Sequence, residues 1–391
     1  MDQVKVSVST LPAPFKVERF DPDPGRSYTL PSRLYIDPAV YAWEQQAIFA
    51  RNWAYAGHLG ALAEPGCYVT CSVAGQNILV IRGKDGALRG FYNVCQHRAH
   101  ELLKGSGRAK VITCPYHAWS YHADGRLRSA RGSEDMPGFD RSEFCLKPVR
   151  VETLASFVFV NLDPDAPPLA AETGALEQEI RAYCPEIDGL VLSRTLTYEV
   201  AGNWKTSVDN FLECYHCHVA HSDFCDLVDM TSYRSICHGI YSSHCGRAAR
   251  MESKAYRYSG AVRARQFGSW WLWPDLCIEV FPGAPNVNIF RHLPVGPEKT
   301  RHVFEFYMQS RNPTAEQEDA IRYIDAVLQA EDIALVESVQ KGLHSRGYNQ
   351  GRFIVDRALS DMSEHAVHHF HGLVVDAMNR YPPATPVGQN R

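Results

Sequence analysis

CQHRAHELLKGSGRAKVITCPYH, residues 95–117, holds a Cys-x-His pair, Cys95 and His97, and after 16 further residues a Cys-x-x-His pair, Cys114 and His117. Each pair stands at the end of a segment that reads as a strand. Upstream, CYVTCSVAGQNILVIRGKDGALRGFYNVC (67–95) alternates as strands do, and Lys84-Asp85-Gly86 supplies a hairpin turn. Downstream, WSYHADGRLRSA signals a second hairpin at Asp124-Gly125. Two such loops, each offering one thiolate and one imidazole, suit a [2Fe–2S] cluster with two cysteines on one iron and two histidines on the other. Neutral imidazoles in place of two thiolates reduce the cluster's negative charge and raise its potential. A Cys2His2 zinc site would use the same four ligands, but the order of the pairs and their place on β-hairpins instead of a short helix argue against it. His100 and His122 fall outside the pattern and read as surface or hairpin histidines.

A second group lies in GNWKTSVDNFLECYHCHVAH, residues 202–221. Cys214-x-x-Cys217-His218 fits the c-type haem signature, while the histidines suit many metals. Asp209, Glu213 and His216 are spaced i, i+4, i+7 and share one helical face. His221 follows His216 by five positions, about 140° away on an ideal helix, so both reach one metal only if the helix ends or distorts between them. A third ligand is offered near the C-terminus. Thr314 and Gln317 form a capping box for a helix that should run to about Gln340 and end near Gly342. Its apolar stripe is Ile321, Ile324, Leu328, Leu335, Val339, and Asp332 completes the spacing. A carboxylate on a buried face is unfavourable unless paired or bound to a cation. Two histidines and one carboxylate make the facial triad of non-haem Fe(II) oxygenases, with positions left open for O2. The other reading leaves Asp332 as a partly exposed charge beside Glu331.

From about Leu30 to His371 the chain resembles the oxygenase (α) subunits of Rieske non-haem iron oxygenases, through CQH…CPYH, NWK…DN…ECYHCHVAH and EDIALVESVQKGLHS. The resemblance implies that Cys95, His97, Cys114 and His117 hold the Rieske cluster and that His216, His221 and Asp332 bind the catalytic iron. Cys214 and Cys217 then become packing residues. Asp209 matches the acidic residue that joins a Rieske histidine to an iron-ligand histidine across a subunit boundary, which implies a ring of three subunits. The implied fold is α+β: an arm at 1–40, an antiparallel β Rieske domain at 41–160, and a catalytic domain at 161–391 whose antiparallel sheet packs on helices in a helix-grip-like way. O2, a small-molecule substrate and a separate NAD(P)H-dependent reductase of flavin or ferredoxin type complete the implied system. A Rieske electron carrier with an appended binding domain is the competing class.

Among the family's branches, FLECYHC and EDIALVESVQKGL look most like enzymes that oxidise quaternary ammonium compounds such as carnitine, choline, glycine betaine and proline betaine. Oxidation of an N-methyl carbon gives a hemiaminal that loses formaldehyde. In FGSWWLWPDLCIEVF, Trp271 and Trp273 fall on one strand face and Trp270 on the other, so Trp271 and Trp273 are candidates to receive the cation; filling the core is their other reading. Ring hydroxylation or dihydroxylation of an aromatic acid would also suit an aromatic pocket. The histidines of SEHAVHHFH, 363–371, spread around a helix that begins near Ser363, which reads as an interface or surface helix and not as a third metal site.

The composition agrees with such an enzyme. The 391 residues are 45% hydrophobic and 21% charged, the formal net charge is −4, and no block of like charges marks a nucleic-acid or membrane surface. The N-terminal stretch lacks a basic segment followed by an apolar run, and no apolar run reaches membrane-spanning length, so a cytoplasmic protein is expected. Its twelve cysteines are then expected to be reduced core residues or metal ligands.

Overall fold

The computed structural model describes residues 17–260 and 265–382. They divide into two compact units, one Ile48–Gly189 and the other the described residues up to Ala47 together with Leu190 onward. These limits differ from the expected ones. Residues 161–189 group with the first unit, where Leu169, Leu176 and Ile180 are fully buried and the Leu169 N–H donates to Glu152 Oε2 at 2.7 Å. The described part of the arm, from residue 17, groups with the second unit; residues 1–16 lie outside the described residues.

The first unit is built on an antiparallel seven-stranded sheet ordered Ala54–His58, Phe157–Asn161, Pro148–Leu154, Leu88–Tyr92, Gln76–Arg82, Cys67–Val73, Ser106–Arg108. Arg82 pairs with Leu88 across the Lys84–Gly86 turn, as the alternation predicts. A three-stranded sheet, Ile112–Thr113, Ser120–Tyr121 and Leu127–Ser129, carries the second hairpin. Gly125 in its turn has φ +85°, and a Cβ there would stand 2.5 Å from the Phe91 ring, so only glycine fits.

In the second unit an antiparallel seven-stranded sheet runs Val191–Val200, Lys299–Met308, Asn286–Gly296, Leu276–Val280, Gln266–Leu272, Tyr241–Ala248, Val228–His238. The first strand closes against the last in sequence, and the others meander. Helix Trp204–Phe211 packs on Asn286–Gly296, Lys299–Met308 and helix Gln329–Leu343. The Asn203-Trp204-Lys205 motif fixes its start. Asn203 Oδ1 accepts the Lys205 N–H at 3.0 Å as an N-cap. The Trp204 indole donates to Glu44 at 2.9 Å, and Lys205 forms an ion pair with the same carboxylate, both partners fully buried. Burial pushes Glu44 up and Lys205 down, while their contact opposes both shifts.

The capping box at Thr314 and Gln317 is present. The helix it starts is interrupted by a π turn, Ile324–Leu328, before continuing as Gln329–Leu343. A wider turn rotates everything beyond it, so the expected stripe is corrected: Leu335 and Val339 are 37% and 53% exposed. The inward line is Gln329, Val336, Gln340 and Leu343, and Asp332, three residues after Gln329, belongs to it.

Candidate metal centres and their cavity

In the first unit, Cys95 and Cys114 belong to the buried cluster containing Leu79, Phe91 and Tyr121. The two ligand loops repeat one local structure. The Ala99 N–H returns to the Cys95 carbonyl and the Ala118 N–H to the Cys114 carbonyl, each at 3.0 Å. Both alanines have positive φ, 55° and 60°, a conformation that disfavours L-residues by about 1–2 kcal/mol each and persists where surrounding structure requires it. The rings of His97 and His117 lie 4.7 Å apart, and His97 stacks on Trp119. Burial, together with the adjacent Cys114 thiol, raises the Cys95 thiol, and the Tyr121 hydroxyl at 3.3 Å opposes that rise. Two thiols held inside and two imidazoles toward the surface are the donor set expected for the cluster.

In the second unit, helix Trp204–Phe211 stops before Glu213, so the proposed i, i+4, i+7 face is not one continuous helix. His216 precedes a single turn, Cys217–Ala220, and His221 follows it with φ −120° and ψ 59°. This break turns the two imidazoles toward each other. Their Nε2 atoms are 3.1 Å apart, and Asp332 Oδ1 lies 2.9 Å from His221 Nε2 and 3.7 Å from His216 Nε2. The ligand atoms of all three fall within 4.8 Å of one another.

Each ring is held from behind by a second carboxylate. Glu213 Oε1 is 2.5 Å from His216 Nδ1 and Glu331 Oε2 is 2.8 Å from His221 Nδ1. With Nδ1–H donating to these carboxylates, both Nε2 lone pairs and the Asp332 oxygen converge on one point. Three electron-rich atoms so arranged repel unless a cation or protons sit among them. Without a metal, protons take that place: burial would lower His216, yet Asp332 and Glu213 push it up to about 10. Burial would raise Asp332, yet His216 and His221 pull it down to about 2. The donor set therefore fits a ferrous ion with open coordination positions.

A cavity of about 730 Å³, counted out to its mouth, lies beside these three residues. Its walls include Phe211, Phe224, Tyr233, Phe267, Phe281, Phe290 and Phe304, and its polar groups include Asn210, Ser269, Glu279, His244, His292 and His302. Burial pushes His244 down to about 3 and His302 to about 4, so both are neutral near pH 7. None of the described lining residues is Lys or Arg.

Residues 52–140 match the Rieske [2Fe–2S] domain family, and residues 187–380 match the ring hydroxylating alpha subunit (catalytic domain) family. The chain is 40% identical over 359 residues, 91% of its length and 96% of the relative's, to the carnitine monooxygenase oxygenase subunit of Escherichia coli K12. The chain belongs to the Rieske oxygenase α subunits. It is also 30% identical to the chloroplastic choline monooxygenase of Spinacia oleracea, covering 91% of this chain and 80% of that one. Among solved structures it resembles a quaternary ammonium Rieske monooxygenase studied for carnitine oxidation and inter-subunit electron transfer, with TM-score 0.87, 38% identity, and 93% and 100% of the two chains covered.

Within this Rieske oxygenase α subunit three expectations are corrected. Asp209 does not contact His216. Its Oδ1 lies 2.9 Å from His371 Nε2 and its Oδ2 accepts from the Tyr35 hydroxyl at 2.7 Å, while Glu213 holds the imidazole. The helix end after Phe211 removes Asp209 from the line of His216. Trp271 and Trp273 do not line the cavity. They are 0% and 4% exposed and pack on Phe370 of helix His365–Arg380 at ring distances of 5.4 and 6.0 Å. Cys214 and Cys217 are joined in a disulfide beside His216, where the turn brings their Cα atoms to 4.8 Å.

The histidines of 363–371 fasten that last helix instead of presenting a surface: His365, His368 and His369 contact the carbonyls of Ser235, Asp21 and Gly239. Among the described residues no helix is long and apolar enough to cross a membrane. Glu331, Glu279 and Glu213 in its orienting role were missed by sequence reasoning. Only Glu213, three residues before His216, carried a readable signal, since i, i+3 side chains meet on helical or turn backbone. Glu213→Gln is expected to lower iron affinity or reductase-coupled turnover by about 10–100-fold, whereas Asp209→Asn keeps near-normal iron content. Iron analysis and O2 uptake compare the two; the reverse ranking would return the orienting role to Asp209.

Proposed function

We propose that this α subunit oxidises a small quaternary ammonium compound, and that His216, His221 and Asp332 bind its catalytic iron while Cys95, His97, Cys114 and His117 hold the Rieske cluster. The observation that carries the substrate reading is the cavity beside the triad: aromatic walls, carboxylates, and no described Lys or Arg. A cation without N–H donors is recognised through aromatic faces and charge. An aromatic acid suits the walls but brings only negative charge to a cavity whose charged side chains include carboxylates and no described Lys or Arg. The relatives named for carnitine and choline support the same choice.

When bound, the two metal groups supply electrons and O2 activation. The protein's part is to hold the substrate carbon beside the iron, keep water out with the phenylalanine walls, and fix both ligand rings through Glu213 and Glu331. Oxidation of a carbon attached to the quaternary nitrogen gives a product that separates into a tertiary amine and a carbonyl fragment; for an N-methyl carbon the fragment is formaldehyde.

A second depression, lined in part by Asp209, Glu213, His216, Leu335 and Val339, reaches His216 from a face with exposed apolar residues. It supports a ring of three subunits in which Glu213 and His216 would form this chain's end of the electron path from a neighbour's Rieske site. A separate NAD(P)H-dependent reductase and a cytoplasmic location complete the reading. The test is a panel of carnitine, choline, glycine betaine, proline betaine and aromatic acids with a reductase, following O2 uptake and release of amine and aldehyde. At least one quaternary compound should give stoichiometric amine. Uptake driven by an aromatic acid, with no amine from any member of the panel, would overturn the proposal.

A further inference from the structure

The sheet face lining the cavity carries a carboxylate that the mechanism above does not use. Glu279 sits on Leu276–Val280, in register with Ser269 on one neighbouring strand and Asn288 on the other. Residues directly opposite on antiparallel strands point to the same face, so Ser269, Glu279 and Asn288 form a polar row across the sheet. All three are buried, at 2%, 6% and 2% exposure. Among the described residues Ser269 Oγ and Asn288 Oδ1 have no hydrogen-bond partner. No ion pair to Glu279 is found among the described residues, and the charge it does feel, Asp332, has the same sign.

An unpaired buried carboxylate is among the least favourable things a core can hold. Burial pushes Glu279 up to about 8, with Asp332 adding to the rise. Two aromatic rings flank it on the same face. Phe281 is two residues along its own strand, Phe267 is two residues from Ser269, and the rings meet edge to face at 5.3 Å. Phe224 packs edge-on to Phe267 at 5.2 Å. A carboxylate in an aromatic corner, without a cation of its own, is complementary to a bulky cation that cannot donate hydrogen bonds.

We propose that Glu279 is the specificity-determining residue that receives the substrate's quaternary ammonium head, with Phe267 and Phe281 contributing the aromatic faces around it. The inference rests on the reading of the cavity as a site for such a compound, and it adds the group that tells the cation from a neutral molecule of the same shape. Binding would supply the missing opposite charge and favour the ionised carboxylate over the protonated form, inside a site shielded from water.

The test uses the metal-loaded enzyme and calorimetric titration with tetramethylammonium, choline and 3,3-dimethyl-1-butanol, the neutral carbon isostere of choline. Wild type should bind choline at least about tenfold more tightly than the isostere, a difference within the reach of one desolvated charge contact. Glu279→Gln should abolish that preference while leaving affinity for the isostere unchanged, and Glu279→Asp should keep part of it. The ligand-free Glu279→Gln protein should melt at or above the wild-type temperature, because the amide keeps the shape of the carboxyl and removes a group whose ionisation is unmatched in the empty site; this also establishes that the variant folds. Glu279→Gln binding the cations as tightly as wild type, or a wild type that does not prefer cations, overturns the inference. Cations bound through Glu279 but never oxidised would sustain the inference and remove the proposed function. Cations oxidised with unchanged KM by Glu279→Gln would do the opposite.

Discussion

Asp332→Ala is expected to empty the proposed mononuclear site and leave the cluster intact: iron should fall from about three to about two per chain, the visible spectrum of the cluster should persist, and substrate-dependent O2 uptake should disappear. The carboxylate is the only anionic donor among the three convergent groups, at 2.9 Å from His221 Nε2, and its loss leaves two neutral imidazoles. Those rings remain held by Glu213 and Glu331, so the variant tests the ligand and not a collapse of the site. The cluster loops belong to the other compact unit and contain none of the altered atoms. Metal analysis with an absorption spectrum is sufficient. Three irons and retained turnover in Asp332→Ala would remove this residue from the metal centre.

Lys205→Met is expected to have the largest effect on stability. It leaves Glu44 fully buried with the Trp204 indole as its remaining partner. Breaking one side of a buried ion pair typically destabilises by about 3–5 kcal/mol, whereas replacing both sides with neutral groups is close to neutral. For a unit of this size that corresponds to a fall of roughly 10 °C in its melting transition. The double variant Glu44→Gln/Lys205→Met keeps an acceptor for the indole and should recover most of the loss. Scanning calorimetry of wild type, both single variants and the double variant gives the coupling directly. A Lys205→Met protein melting within about 1 °C of wild type would mean that the pair contributes nothing to stability.

The residues proposed to bind metal were legible because their chemistry is written in spacing. A thiolate–imidazole pair on each of two hairpins, and histidines on either side of a helix end, are local patterns of residue types with few alternative uses. Asp332 was legible as a charge on an apolar line, although the line itself was drawn wrongly past Leu328, since no residue announces a π turn. The partnerships that depend on distant segments were not readable: Glu44 with Lys205, Asp209 with Tyr35 and His371, and Glu331 with His221. A tryptophan-rich strand such as Gln266–Leu272 looks the same in a binding site and in a core, and only the arrival of Phe370 decides between them. Glu279 gave no signal for the reverse reason. One glutamate in an apolar strand is unremarkable until both neighbouring strands are known.

The paired donors His221 and Asp332 come from segments 111 residues apart. An ion shared between them ties the chain as a covalent staple would, restricting the unfolded ensemble as well as neutralising the folded one. Folding and metallation then become one linked equilibrium, in which each tenfold rise of free Fe(II) above its dissociation constant adds about 1.4 kcal/mol to the folded state. Cellular iron supply would therefore govern the persistence of this subunit as well as its turnover.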